Sequence, residues 1–253
     1  MDNQLIKLFS QAEDYFSSSI AKRTRDCNGA ASAYSTDVDG EPQNTLVMRN
    51  SVRSLDRLIK ETVDFFALTN TSWCIVMRAE LVTQDVNEML KCHGFMPADV
   101  SVAMALSLNQ ISPTQNESVK NMDDNLDTWA IPLSAFPATS DDINIKYARS
   151  HKLALERKRN MSHLSLFKDN EIISSMTLSW NDNWARIDDV ATLHQYQHQG
   201  YATALMSYGI ALAAQKEAKH CFLEASPKGL SIYQKLGFKE LFKNQVFTKR
   251  KST

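Results

Sequence analysis

Between Ala185 and Ala218 the chain changes its period abruptly. "ARIDDVATL" has the alternation and β-branched content of a strand, while "GYATALMSYGIALAAQKEA" repeats apolar residues at helical spacing. A strand that gives way so quickly to a long helix commits both to a layered α/β or α+β plan built on a mixed sheet. The join, "QHQGYATALM" from Gln197 to Met206, sets a glycine and an alanine among uncharged polar side chains where the helix begins.

That placement has a physical reason. A helix start presents backbone N–H groups without partners and the positive end of the helix dipole, which together suit a phosphate. Gly200 and Ala202 carry little or no side chain, so a diphosphate can approach the amides of Gln199 to Thr203 closely.

The flanking chain reads as two halves. In the first, Leu5, Leu8, Phe9, Ala12, Phe16 and Ile20 recur at helical spacing, and a polar loop, "DCNGAASAYSTDVDGEPQN", follows. Then "SVRSLDRLIKETVDFFALTN" predicts a helix, "SWCIVMRAEL" a buried strand, "TQDVNEMLKCHGF" a short helix ended by Gly94, and "DVSVAMALSL" another strand. The stretch "NQISPTQNESVKNMDDN" has almost no apolar content and predicts a linker, giving domains over residues 1–110 and 111–253. Beyond it, "LDTWAIPLSAF" and "DDINIKYARSHKLALERKRN" look helical with a proline-marked break, and "HLSLF" and "EIISSMTLSW" look like strands of a meander. After the long helix come the strand "CFLEA", the short helix "GLSIYQKLGF" with Gly237 just past its end, and the closing strand "ELFKNQVFTKR".

A weak internal repeat links the halves. Aligning Gly94-Phe95 with Gly237-Phe238 pairs "EMLKCHGF" with "SIYQKLGF" and sets Leu90 against Tyr233, as expected of a duplicated half-sheet. The first half has no counterpart of "QHQGYA", because "MRNSVRSLDRL" enters its helix without a glycine.

Composition narrows the function. A chain of 253 residues, 43% hydrophobic with 7 Gly and 6 Pro, is a packed globular protein. Its net charge of −1 supplies no field to collect nucleic acid or anionic lipid, so no nucleic-acid or membrane partner is expected. Cys27, Cys74, Cys92 and Cys221 are scattered, as in a reducing compartment, and the cytoplasm is the expected location. No signal peptide or roughly 18-residue apolar span is legible. His194 and His198 have the i, i+4 spacing of a zinc pair but fall before the helix, where they share no face, so no metal is expected. The run "ERKRN" reads as a solvated helix end.

The second half resembles the GNAT superfamily of acyl-CoA-dependent N-acyltransferases, whose signature is Q/R-x-x-G-x-G/A between a strand and a long helix. Gln197, Gly200 and Ala202 fill those positions, and "LEAS…GLSIYQKLGF" resembles the family's next strand and its "lYeklGF" helix. The resemblance implies a tandem architecture of two GNAT-like mixed sheets flanked by helices, the C-terminal one complete and the N-terminal one degenerate. It implies acetyl-CoA as acyl donor, held by Gln197, His198, Gln199, Gly200, Tyr201, Ala202 and Thr203 at the diphosphate, by Val190, Ala191 and Thr192 along the pantetheine arm, and by Ser226 and Tyr233 near the thioester. The loop has Gln197, His198 and Gln199 where the family often has Arg or Lys, and Ser226 where many members have Asn.

The implied chemistry is direct attack of a neutral primary amine, of a small molecule or a protein, on the thioester, with the oxyanion held by backbone N–H and a thiolate expelled. Tyr233 is the candidate general acid. Asp189 is the best placed base, with Asp188 and Glu224 behind it; strand alternation lets only one of Asp188 and Asp189 face the acceptor. Residues 129 to 142, with Trp129 and Phe136, would cover the substrate side. The competing expectation is a non-catalytic acyl-CoA-binding or protein-interaction module of the same fold, its first half serving dimerisation or partner contact.

Overall fold

The computed structural model describes residues 2–39, 43–69, 71–112, 114–136 and 140–249. In chain order the elements are α1 (Asn3–Ile20), β1 (Arg23–Cys27), β2 (Ala31–Ser35), β3 (Asn44–Met48), α2 (Leu55–Ala67), β4 (Cys74–Arg78), α3 (Gln84–Cys92), β5 (Phe95–Ser107) and β6 (Val119–Asn121). They continue with α4 (Leu126–Trp129), α5 (Asp141–Glu156), β7 (Met161–Lys168), β8 (Glu171–Trp180), β9 (Trp184–Thr192), α6 (Tyr201–Gln215), β10 (His220–Ala225), α7 (Leu230–Lys235) and β11 (Lys239–Lys249).

Two compact units share these elements. The larger holds the chain up to Ile20 with Ala103–Leu241, the smaller Ala21–Val102 with the chain from Phe242 onward. The division therefore differs from the sequential 1–110 and 111–253 expectation at both chain ends. Packing explains the N-terminal exchange: Phe9 meets Phe222 edge-on at 5.9 Å and Tyr15 meets Trp184 at 5.3 Å. Burying one such side chain is worth about 1.5–3 kcal/mol, so this apolar face of α1 binds it to β9 and β10 of the larger unit.

In the larger unit the strand order is β10-β9-β8-β7-β6. The pairs from β6 to β9 are antiparallel, and β9 and β10, joined by α6, are parallel. In the smaller unit the order is β1-β2-β3-β4-β11, with β3 and β4, joined by α2, parallel. Its core stacks Phe66 on Trp73 at 4.8 Å and sets Trp73 against Phe95 at 4.8 Å. Both units thus run antiparallel pair, helix, parallel strand, short helix. The short helices α3 and α7 each end at a glycine in the left-handed region, Gly94 at φ +81° and Gly237 at φ +94°, followed by the buried Phe95 and Phe238.

Two local expectations are corrected. The segment expected as a polar loop holds the end of β1 and all of β2, a hairpin turning through Asn28 and Gly29, both at positive φ. The Asn-Gly pair was the signal for it. The expected linker contains β6, which pairs with β7 through Val119, Lys120 and Asn121.

Candidate functional site

The first turn of α6 is built around Gly200, at φ +87° and ψ −4°, and no side chain caps the helix. The loop's polar groups are turned onto its own carbonyls: Gln197 Nε2 donates to Thr192 O at 2.9 Å and Gln199 Nε2 to Gln195 O at 2.9 Å. Among the described residues the N–H groups of Gln199 to Thr203 consequently meet no acceptor. A Cβ at position 200 would meet nothing within 4 Å, so the space beside Gly200 is open. These five N–H groups lie at the positive end of a helix dipole, the arrangement that binds a phosphate.

Charge missing from the loop comes from elsewhere. Lys168, at the end of β7, holds its ammonium 5.5 Å and 5.6 Å from the ring centroids of Tyr196 and Tyr201. The Tyr201 hydroxyl beside it raises the proton affinity of that amine. Sequence reasoning missed Lys168 because only the fold of the β7–β8 hairpin brings it to the start of α6.

Beside this cradle the sheet opens. β9 and β10 pair only from Trp184 to Arg186 and from His220 to Phe222, although β9 runs on to Thr192 and β10 to Ala225. Beyond Arg186 one edge of β9 faces a gap. Two carbonyls of the expected pantetheine edge already accept a side-chain bond, Ala191 O from Ser174 Oγ at 2.7 Å and Thr192 O from Gln197. Ser226 Oγ accepts from the Gly229 N–H at 3.3 Å at the start of α7.

Asp189 lies in an irregularity of β9. Ser175 pairs with Ala191 and Thr177 with Asp188, so Asp189 and Val190 together oppose Met176. This is a β-bulge, and Asp189 takes φ +57°, a region Asp tolerates better than most side chains. The bulge overturns the alternation expected for Asp188 and Asp189. Asp188 is bound through both oxygens to Arg186 Nε at 3.0 and 2.9 Å. Asp189 accepts from the Tyr147 hydroxyl at 2.9 Å and from Thr177 Oγ1 at 2.7 Å. Burial, and then the neighbouring Asp188 charge, lift the Asp189 carboxyl to about 7. A carboxylate poised there exchanges protons at neutral pH.

Tyr233 on α7 packs its ring against Gly229, where an added Cβ would come 2.9 Å from Cε2. Its hydroxyl makes no hydrogen bond among the described residues. Burial, helped by Asp188, raises the phenol to about 12, which keeps it protonated and makes proton delivery harder than from an exposed phenol. Trp129 is wholly buried, donating its indole N–H to Met176 O at 3.1 Å, so it does not line an acceptor pocket; Phe136 is 39% exposed. Of the segment 129 to 142, residues 137–139 lie outside the described residues. Among the described residues no group of three or more His, Cys, Asp and Glu is arranged to hold a metal ion. Among the described residues no helix is long and apolar enough to cross a membrane.

A strand parted from its parallel neighbour, ending at an uncapped helix start, agrees with what comparison finds. Residues 125–238 match the model of the acetyltransferase (GNAT) family. This segment is a GNAT-family domain. No curated protein matches the chain. Among solved structures, a functionally unknown conserved protein from Staphylococcus epidermidis is 13% identical, with 91% of this chain and 94% of that one covered at a TM-score of 0.67. A GCN5-related N-acetyltransferase from Kribbella flavida is 12% identical, with 98% and 96% covered at a TM-score of 0.67. A tandem GNAT protein from the clavulanic acid biosynthesis pathway is 13% identical, with 92% and 86% covered at a TM-score of 0.55. At these identities the likeness is one of fold alone.

Proposed function

We propose that the protein is an N-acetyltransferase that moves an acetyl group from acetyl-CoA to a primary amine by direct attack. The observation that carries this reading is the run of N–H groups from Gln199 to Thr203, left without acceptors where β9 and β10 part. These amides hold the diphosphate of the donor, with Lys168 adding the cation that the loop lacks. The exposed edge of β9 at Val190 receives the pantetheine arm in the manner of an added strand, and the thioester lies between the parted strands. Asp189 takes a proton from the acceptor's ammonium, which must become neutral to attack. Tyr233, its hydroxyl unengaged, protonates the departing thiolate. The smaller unit is a degenerate copy of the same fold that supplies no second donor site.

A release assay tests the reading: free CoA should appear when acetyl-CoA is mixed with the protein and a panel of amines. Tyr233→Phe should slow turnover while leaving acetyl-CoA affinity nearly intact. Tight acetyl-CoA binding with no transfer to any amine would show that the site binds without catalysing.

A further inference from the structure

A buried imidazole pair has no part in the roles above. His151 on α5 and His163 on β7 are wholly buried. Nδ1 of His151 lies 2.8 Å from Nε2 of His163, and Nδ1 of His163 lies 2.8 Å from Oδ1 of Asp123. At the other end, Nε2 of His151 stands 3.6 Å from Oδ2 of Asp189 and has no hydrogen-bond partner among the described residues. The Trp129 ring covers both imidazoles at 4.7 and 4.9 Å.

Counting protons assigns the tautomers. Asp123 already accepts from the His163 backbone N–H and the Asn121 amide, both at 2.8 Å. Burial works against its charge, but these bonds and that from the His163 ring outweigh it and hold the carboxyl below the usual range. An ionised Asp123 can only accept, so Nδ1 of His163 carries that ring's proton and its Nε2 is bare. The bare Nε2 accepts from Nδ1 of His151, which leaves Nε2 of His151 bare toward Asp189. Four groups thus make three contacts, and two neutral imidazoles supply two protons. The contact left without a proton is the long one.

We propose that Asp189, His151, His163 and Asp123 form a receptacle for the proton that the acceptor amine gives up, holding it as one excess proton shared along three contacts. The proposal rests on the transferase reading. An N–H bond of the ammonium breaks, its electron pair stays on nitrogen, and an O–H bond forms at Asp189. That proton then passes to Nε2 of His151 as the Nδ1 protons of His151 and His163 each move one contact toward Asp123. When product leaves, the shift reverses and the proton departs to water at Asp189, so neither ring has to turn in its packed site. Asp123, His163 and His151 act through Asp189 and are positioning residues.

The surroundings suit a shared charge. Facing Asp189 are Tyr147 and Thr177 as donors and Asp188, whose charge is bound to Arg186; Glu13 of α1 and Glu224 of β10 act on that arginine. Facing His151 are the rings of Phe16, Tyr147 and Trp129 and, among the described residues, the carboxylate of Asp189 alone. Burial, with the neighbouring His163, keeps His151 neutral at rest.

Long-range 15N–1H spectra of the imidazoles in the full chain, recorded from about pH 5 to about pH 9, test the receptacle without any acceptor. Both buried rings should show Nδ1–H at high pH and change together as the pH falls through about 7, the value to which Asp189 is lifted. In Asp123→Asn, which removes the far charge, that midpoint should fall by about one pH unit. The rate–pH midpoint should fall in step, with kcat lowered about ten-fold and the KM for acetyl-CoA unchanged, less than the roughly 100-fold or more that losing a base brings. Imidazole spectra constant across the range, or a variant rate–pH profile that superimposes on the native one, would overturn the proposal. Coupled titration in a protein that transfers no acyl group would overturn the transferase reading instead, and with it the amine as the proton's source.

Discussion

The two units begin their crossover helices differently. α6 starts at a left-handed glycine with no side-chain cap. α2 starts at Ser54, whose hydroxyl accepts from the Arg57 N–H at 3.3 Å, and carries Asp56 in its first turn. Hydrogen bonds from Lys60 and His93 hold Asp56 below the usual carboxylate range, so a negative charge stands where a phosphate would go. The short helices differ as well: Leu90 is wholly buried, whereas the hydroxyl of Tyr233, aligned with it by the repeat, makes no hydrogen bond among the described residues. β3 pairs with β2 without a register shift, so β3 carries no bulged carboxylate to match Asp189 of β9. One topology therefore either spends the positive end of its helix on itself or leaves it for a ligand.

Gly200→Glu should break the contrast most. It forces a side chain into φ +87° and sets a carboxylate before the open amides. Charge-assisted hydrogen bonds are worth about 1.5–3 kcal/mol each, so losing two or more should weaken acetyl-CoA binding by about 100-fold or more. Isothermal calorimetry measures this, and an unchanged Kd would place the cofactor elsewhere.

Asp189 sharpens the contrast through stability. Its carboxyl is lifted to about 7 in the folded chain, above the unfolded value near 3.9. The native state therefore favours the protonated form. The stability this contributes is complete below about pH 4 and is lost as the pH rises through about 7, on the order of a few kcal/mol. Asp189→Asn should flatten the fall of Tm across that window and remove the rise of kcat with pH near 7. A variant whose Tm still falls as the native protein's does would assign the burden to another group.

Lys168→Ala should act more gently. The ammonium is exposed, so salt screens it, and binding of acetyl-CoA should weaken by about three- to ten-fold at low salt and less at high salt. A salt-independent loss would point to packing of the Lys168 stem on Tyr196 and Tyr201 instead.

What the chain made legible in advance follows the range of the forces. The start of α6, the repeat through Gly94 and Gly237, and the layered α/β plan rest on neighbours within a turn or a strand, and each could be read from spacing. The β1–β2 hairpin was hidden under polar composition although Asn28 and Gly29 marked its turn. The bulge at Asp189, the cation of Lys168 and the pairing of His151 with His163 depend on which strands lie side by side. No local pattern encodes those neighbours, and half of the candidate site consequently lay outside the motif that pointed to it.

Ser54→Ala should have the smallest effect and is the most discriminating. Removing an N-cap costs about 0.5–2 kcal/mol, so the smaller unit should unfold at slightly lower temperature or denaturant. The change also frees the Arg57 N–H, making the start of α2 more like that of α6. If an uncapped start were sufficient for a diphosphate, the variant should gain a second, weak acetyl-CoA site. It should gain none, because Asp56 still stands in the first turn and position 54 keeps extended backbone where α6 has a left-handed glycine. A second site appearing in calorimetry would mean that the cap alone, and not the glycine with the charge around it, separates the two units.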